Sequence, residues 1–382
     1  MHAFRELLTR APVHTPSPNP SLDAEGIEAA PPPSALTSNS SLALTLAPLR
    51  PYLDDPSVTE LCINRPHEAF IERATGWECI ALPFADFPWC LRLAKLAANA
   101  TSQKIDAQSP LLSATLPTGE RAQIALPPAT TSGTVAITLR RPSDRVWALD
   151  ELTATGLFNH TRSANESPTH GVDHELQQLL QDHDYPAFLK LAVRSRKNIL
   201  VSGPTGSGKT TCTKALILEI PSEERLITIE DARELVLNHH PNHVRLYYSK
   251  DGQGQSQVTP KQLLEATLRM RPDRILLAEL RGEEAFDYLR NVNSGHPGSI
   301  TSIHAGSCDL AFEQLTLLIK ESKAGREMPR ADILELLHAT VDVVIQCDAF
   351  DHQRRIRAIR YMAKLPTMDH TLNHDRGLLA PN

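Results

Sequence analysis

The chain has 382 residues, with 39 Lys plus Arg against 45 Asp plus Glu, a formal net charge of −6. No basic excess advertises nucleic acid or an anionic bilayer as the main partner. Hydrophobic residues at 41% and charged residues at 22% exclude a wholly disordered or fibrous chain, and the length predicts two domains. Apolar runs such as the one at 275–278 fall well short of the roughly 18 to 20 residues of a spanning helix. The start, MHAFRELLTRAPVH, has no apolar h-region, so neither a secretory signal nor a transmembrane segment is expected and the chain reads as cytoplasmic. Cys62, Cys79, Cys90, Cys212, Cys308 and Cys347 form no CxxC pair, which argues against a zinc ribbon or redox pair and for buried, reduced thiols.

Residues 1–40 carry seven prolines among Ser, Thr, Asn and Ala, and predict a disordered arm. Residues 41–150 predict a small α+β domain. Strands VTELCI, AFIE and WECIAL come first, then a helix over 89–98. Two alternating strands follow, with Ala122, Ile124 and Leu126 on one face of the first and Val135, Ile137 and Leu139 on one face of the second. Arg121 and Arg140 then point away from the apolar face, and the phasing prefers Arg140 to Arg141. Residues 151–182 turn polar and predict a linker. Strands and helices alternate over 183–365, a second, α/β domain, and 366–382 read as a flexible tail.

Gly203-Pro204-Thr205-Gly206-Ser207-Gly208-Lys209-Thr210 satisfies GxxxxGK[ST] between the apolar strand NILV and a helical run over 211–220. Its glycines let backbone amides turn toward phosphate oxygens at a helix amino terminus. Lys209 is expected at the β and γ phosphates, Thr210 on Mg²⁺, and Thr211 within the nucleotide site. Two apolar strands run into acids: ILLAE ends at Glu279, expected to order Mg²⁺ partly through water, and LITIED ends at Glu230 and Asp231. His296 and His304 are expected near the γ phosphate; no HExxH or Cys/His spacing accompanies them, which disfavours zinc. No NKxD-type motif reads guanine, so the expected nucleotide is ATP.

The series GPTGSGKTT from Gly203, TIEDARELVL from Thr228, LRMRPDRILLAELRGEEA from Leu268 and SGHPGSITSIHAG from Ser294 resembles the secretion traffic ATPases, most closely the VirB-eleven class of type IV secretion and conjugation systems. In that family's order these look like the Walker A loop, acidic box, Walker B segment and histidine box. The likeness extends into the first domain through PTGERAQIALPPA and AITLRRPS. It implies a RecA-like P-loop ATPase domain preceded by a smaller α+β regulatory domain. It further implies a homo-hexameric ring at the cytoplasmic face of the inner membrane, with ATP bound between the domains. Glu230 then resembles the acid that polarises the attacking water, and Arg121 and Arg140 match arginines that approach the γ phosphate. The partners implied are inner-membrane type IV secretion subunits and, indirectly, a secreted protein or DNA cargo. The absence of a four-cysteine zinc module favours this class or a pilus retraction motor over type II relatives. A pilus assembly or retraction ATPase and a nucleotide-responsive scaffold with little turnover remain alternatives. A helicase has only Arg354, Arg355, Arg357 and Arg360 in its favour, without interleaved aromatics, so direct nucleic-acid binding is not expected and these arginines read as a solvated strand face.

Overall fold

The computed structural model describes residues 40–142, 146–159, 161, 171–249, 254–293, 295–351 and 353–363. The predicted amino-terminal arm, except Ser40, and the predicted tail lie outside the described residues.

The first domain is an antiparallel sheet of β1 (Glu60–Arg65), β2 (Glu68–Arg73), β3 (Gly76–Ala81), β4 (Leu111–Thr115), β5 (Arg121–Ala125) and β6 (Ala136–Arg140), in the order β3-β2-β1-β6-β5-β4. Helices α1 (Ser41–Leu46), α2 (Arg50–Leu53) and α3 (Phe87–Ala100) accompany it. α3 is longer than predicted because Asp86 caps it, accepting from the Trp89 amide at 2.7 Å, with a proline in the first turn. Its Leu93, Ala94, Ala97 and Ala98 pack against Ala122, Ile124, Ile137 and Leu139, the alternating face of β5 and β6. The opposite face departs from a simple polar surface: Gln123, Ala125, Ala136 and Thr138 are buried as well, and Ala125 and Ala136 join the core of the second domain. Only the strand ends, at Arg121 and Arg140, stay open.

The stretch predicted as linker is partly helical. α4 (Leu149–Ala154) and α5 (Val172–Gln181) lie in or across it, and Leu176 of α5 is buried with Phe188 and Ala192 of α6 (Tyr185–Arg194). The polar composition concentrates at 159–171, whereas Leu176, Leu179 and Leu180 return at helical spacing, so the second domain starts earlier than its predicted boundary.

The second domain places β7 (Ile199–Ser202), α7 (Lys209–Leu218), β8 (Leu226–Glu230), β9 (His243–Tyr247), α8 (Pro260–Thr267), β10 (Arg274–Leu277), α9 (Glu284–Asn293), β11 (Ile300–Ile303), α10 (Cys308–Glu321), α11 (Arg330–Thr340), β12 (Val343–Phe350) and β13 (Gln353–Tyr361) in chain order. β10, β8 and β9 pair in parallel, and so do β11, β7 and β12, with β13 antiparallel at the edge. Ser302 bridges the two groups: its carbonyl accepts from the Leu280 amide at 2.9 Å and its hydroxyl donates to the Ala278 carbonyl at 2.8 Å. The strands therefore run β9-β8-β10-β11-β7-β12-β13. Both faces are covered, as a parallel sheet requires. Ile199 and Val201 pack with α6 and α7 on one side, and Leu200 packs on the other in the core formed by α8 to α11.

A buried polar cluster joins the domains at the amino-terminal ends of the parallel strands. The Arg225 guanidinium donates to Asn64 at 2.8 Å and lies 5.6 Å from the Trp77 ring, and Arg271 pairs with Glu72. At the other end of β9 the Tyr247 amide donates to the Ala129 carbonyl at 2.9 Å. Among the described residues no helix is long and apolar enough to cross a membrane.

Candidate nucleotide-binding site

The phosphate loop follows β7 at the carboxyl ends of the parallel strands, where open α/β sheets gather ligands. Gly206 and Gly208 take φ of +80° and +94°, and Gly208 forms the cap of α7. Positive φ at these glycines lets the loop turn into the amino terminus of α7, whose dipole favours an anion. Gly203 is needed for space: a Cβ there would stand 2.6 Å from both the Cys347 carbonyl oxygen and the Ser207 hydroxyl. Pro204, Thr205, Gly206, Thr210 and Thr211 are exposed, while Ser207 is buried and donates to the Pro204 carbonyl at 2.7 Å. An exposed glycine-rich loop at a helix amino terminus fits a polyphosphate.

The Lys209 ammonium donates to the Gly203 and Pro204 carbonyls at 2.8 and 3.2 Å and stands 3.1 Å from His304 Nδ1. Since an ammonium only donates, Nδ1 accepts, and His304 Nε2 stands 2.6 Å from Glu279 Oε1. Lys209, His304 and Glu279 thus form a continuous line across β7, β11 and β10. Burial pulls the Lys209 ammonium below its ordinary pKa, with Glu279 opposing that shift. Glu279 also pairs with Arg281, which holds Asp231 as well.

Glu230 does not occupy the role expected of it. It is fully buried, and its carboxylate accepts from the Thr228 hydroxyl, from Arg245 Nε and Nη2, and from the amides of Glu234 and Leu235. With every lone pair engaged inside the domain, it orders the loop after β8 and is not free to meet water. The acid that this loop presents is Glu234, whose Oε2 stands 3.5 Å from the Thr210 hydroxyl. The sequence reading missed it because Glu230, and not Glu234, sits at the end of an apolar strand; the second acid in EDARE was the available signal.

His296 also lies elsewhere. It precedes β11 and His304 follows it, and a four-residue strand spans about 13 Å. His296 sits against the Pro272 carbonyl near Arg271 and Asp273, where burial pulls its pKa below the ordinary value.

Arg121 and Arg140 face each other across β5 and β6, and Arg140 lies opposite Glu60 on β1, with Nε 3.6 Å from the Glu60 carboxylate. They line a cavity of about 520 Å³ together with Glu60, Leu268, Arg269 and Arg271. No residue of this chain's phosphate loop lines it. That cavity lies beside the segment that enters β10, whereas the phosphate loop leaves β7 at the carboxyl ends of the parallel strands. Burial raises the Glu60 carboxyl from 4.5 to about 7, outweighing the attraction of Arg140.

The family model described as "Type II/IV secretion system protein" matches residues 43–350. The chain is 46% identical over 337 residues to the Type IV secretion system protein VirB11 of Bartonella quintana, covering 85% of this chain and 94% of that protein. It is 47% identical over 313 residues to the VirB11 protein of Brucella suis biovar 1, covering 81% and 86%. Among solved structures it is similar to the VirB11 ATPase from the Brucella suis type IV secretion system in complex with sulphate, with a TM-score of 0.80 at 47% identity over 84% of this chain and 94% of that chain.

Proposed function

The chain belongs to the type II/IV secretion system protein family, in its VirB11 class, and from that premise we propose that it is a Mg²⁺-dependent ATPase, assembled as a homo-hexameric ring, that energises type IV secretion. The observation that carries this reading is the line from Lys209 through His304 to Glu279 beside an open phosphate loop. The strand order, with β11 between the phosphate-loop strand and the acid-ended strand β10, supports a RecA-like ATPase domain.

Phosphoryl transfer to water needs positioning and charge stabilisation more than covalent chemistry. The loop amides and Lys209 bind the phosphates of ATP, Lys209 exchanging the Gly203 and Pro204 carbonyls for phosphate oxygens. Mg²⁺, when bound, neutralises charge on the β and γ phosphates, and the Thr210 hydroxyl with Glu279 would hold it, Glu279 partly through water. Glu234 orients the attacking water, the role first expected of Glu230. His304 reports the γ phosphate, because a phosphate held by Lys209 also competes for the Lys209–His304 contact.

Arg121 and Arg140 complete the site of a neighbouring protomer. They are exposed on a cavity away from their own loop, as arginines supplied across an interface must be. ATP then ties one protomer's second domain to another's first domain, and hydrolysis releases that tie, which is the work-producing motion. The family is the ground for expecting the ring at the cytoplasmic face of the inner membrane, held by other secretion subunits and acting on protein or DNA cargo indirectly.

The test is steady-state phosphate release by the purified chain with its mass in solution. Slow Mg²⁺-dependent turnover by a hexamer, lost in Lys209→Ala, supports the reading. Equal turnover by Lys209→Ala would overturn the site, and a monomer with undiminished turnover would overturn the ring.

A further inference from the structure

We propose that Arg354 is a nucleotide-binding residue that contacts the α and β phosphates from within the same chain. The inference rests on reading Gly203 to Thr210 as the phosphate cradle. Arg354 belongs to the β12–β13 hairpin, remote in sequence from every motif of the site.

The register of that hairpin determines where Arg354 goes. Val343 pairs with Tyr361 and Ile345 with Ile359, and all four pack on the α6–α7 side of the sheet. The pairing slips by one residue between Gln346 and Cys347, so Arg357 is the extra residue of a bulge. Beyond it Cys347 pairs with Ile356 and Ala349 with Arg354. Cys347 packs against Cys212 of α7, and alternation places Ala349 and Arg354 on that same side. Without the bulge the phase would be reversed, and Arg355 would face α7 instead.

The contact follows. A Cβ built on Gly208 would lie 3.1 Å from Arg354 Cδ, 3.5 Å from its Cβ and 3.6 Å from its Cγ. The aliphatic stem of Arg354 therefore lies along the glycine that opens α7, and its charged head is one bond beyond Cδ. The guanidinium has no hydrogen bond or ion pair among the described residues. Its neighbours on the strand are committed: Arg355 pairs with Asp348 and stacks 4.7 Å from the Phe350 ring, and Arg360 pairs with Asp309. The loop amides around Gly208 are those that cradle α and β phosphates in a GxxxxGK[ST] loop, and a guanidinium beside them matches phosphate geometry. ATP and ADP share those phosphates, so Arg354 supports both, in contrast to Arg121 and Arg140, which are assigned to the γ phosphate alone.

Equilibrium binding of fluorescent N-methylanthraniloyl ATP and ADP to the full chain, with Mg²⁺, tests this in the parent, Arg354→Ala, Arg354→Lys and Lys209→Ala. Arg354→Ala is expected to weaken both nucleotides about tenfold, with Arg354→Lys in between and an unchanged melting temperature. Binding of both within about twofold of the parent overturns the inference, as does a loss confined to ATP. Parent-like binding by Lys209→Ala overturns the phosphate-loop reading itself, and so separates the two failures.

Discussion

Glu230 and Arg245 form a two-point ion pair in the interior of the second domain, at 3.0 and 2.8 Å. Glu230 also draws in the amides of Glu234 and Leu235, so the pair shapes the loop that delivers Glu234 toward Thr210. The two acids of one short motif therefore divide a structural and a catalytic task. Glu230→Gln leaves Arg245 as an uncompensated buried charge and is expected to cost about 3 to 5 kcal/mol of stability. Glu234→Gln is expected to leave the melting temperature in place and to abolish turnover while ATP still binds. Thermal denaturation beside steady-state hydrolysis separates them; a stable, inactive Glu230→Gln would return the catalytic role to Glu230.

The buried Glu60 carboxyl makes stability depend on pH in a predictable sense. Its pKa is raised to about 7 in the folded chain, so between about pH 4.5 and 7 the folded state holds a proton that the unfolded state has released. Stability from this group is thus present below its unfolded pKa and lost as pH rises through the folded one. Glu60→Gln removes the effect. Urea midpoints of parent and variant are expected to agree near about pH 4 and to separate near about pH 8, with the variant more stable by on the order of 2 kcal/mol. A less stable variant at the higher pH would show that attraction to Arg140 outweighs burial.

Gly203→Ala tests the packing beneath the phosphate loop. The added carbon meets the Cys347 carbonyl and the Ser207 hydroxyl at 2.6 Å, so the loop or β12 must shift. A loss of about 1 to 3 kcal/mol is expected from this overpacking, together with weaker nucleotide binding. Denaturant titration and nucleotide binding check the two effects, and a neutral variant would mean that the loop moves freely.

Much of this was legible in the residues. Gly203 to Thr210 stood between strand and helix as read, and β5 and β6 bury the alternating set that was expected, because period-2 patterns persist wherever one face meets a core. β4 was missed because only Leu112 of its five residues is buried, which leaves no alternation to see. His296 and His304 were read as a pair from nearness in sequence, yet the strand between them puts one at each end of the sheet. Arg121 and Arg140 point away from the apolar face as read, but no local pattern tells which edge of the parallel sheet the first domain packs against, and so whose γ phosphate they approach. The turn of Arg354 toward Gly208 depends on a bulge, and nothing in QRRIRAIRY marks where the pairing slips.

The central claim is a ring in which each ATP site is shared between protomers, and a mixing experiment tests it most directly. Arg140→Ala keeps the phosphate loop and Lys209→Ala keeps the arginines, and each alone is expected to be inactive. Mixed in equal amounts and allowed to exchange subunits, they should regain hydrolysis, approaching about a quarter of the parent's sites. If the mixture stays at the level of the separate variants at every ratio while exchange is verified, the arginines do not act across the interface and the account of a shared site is wrong.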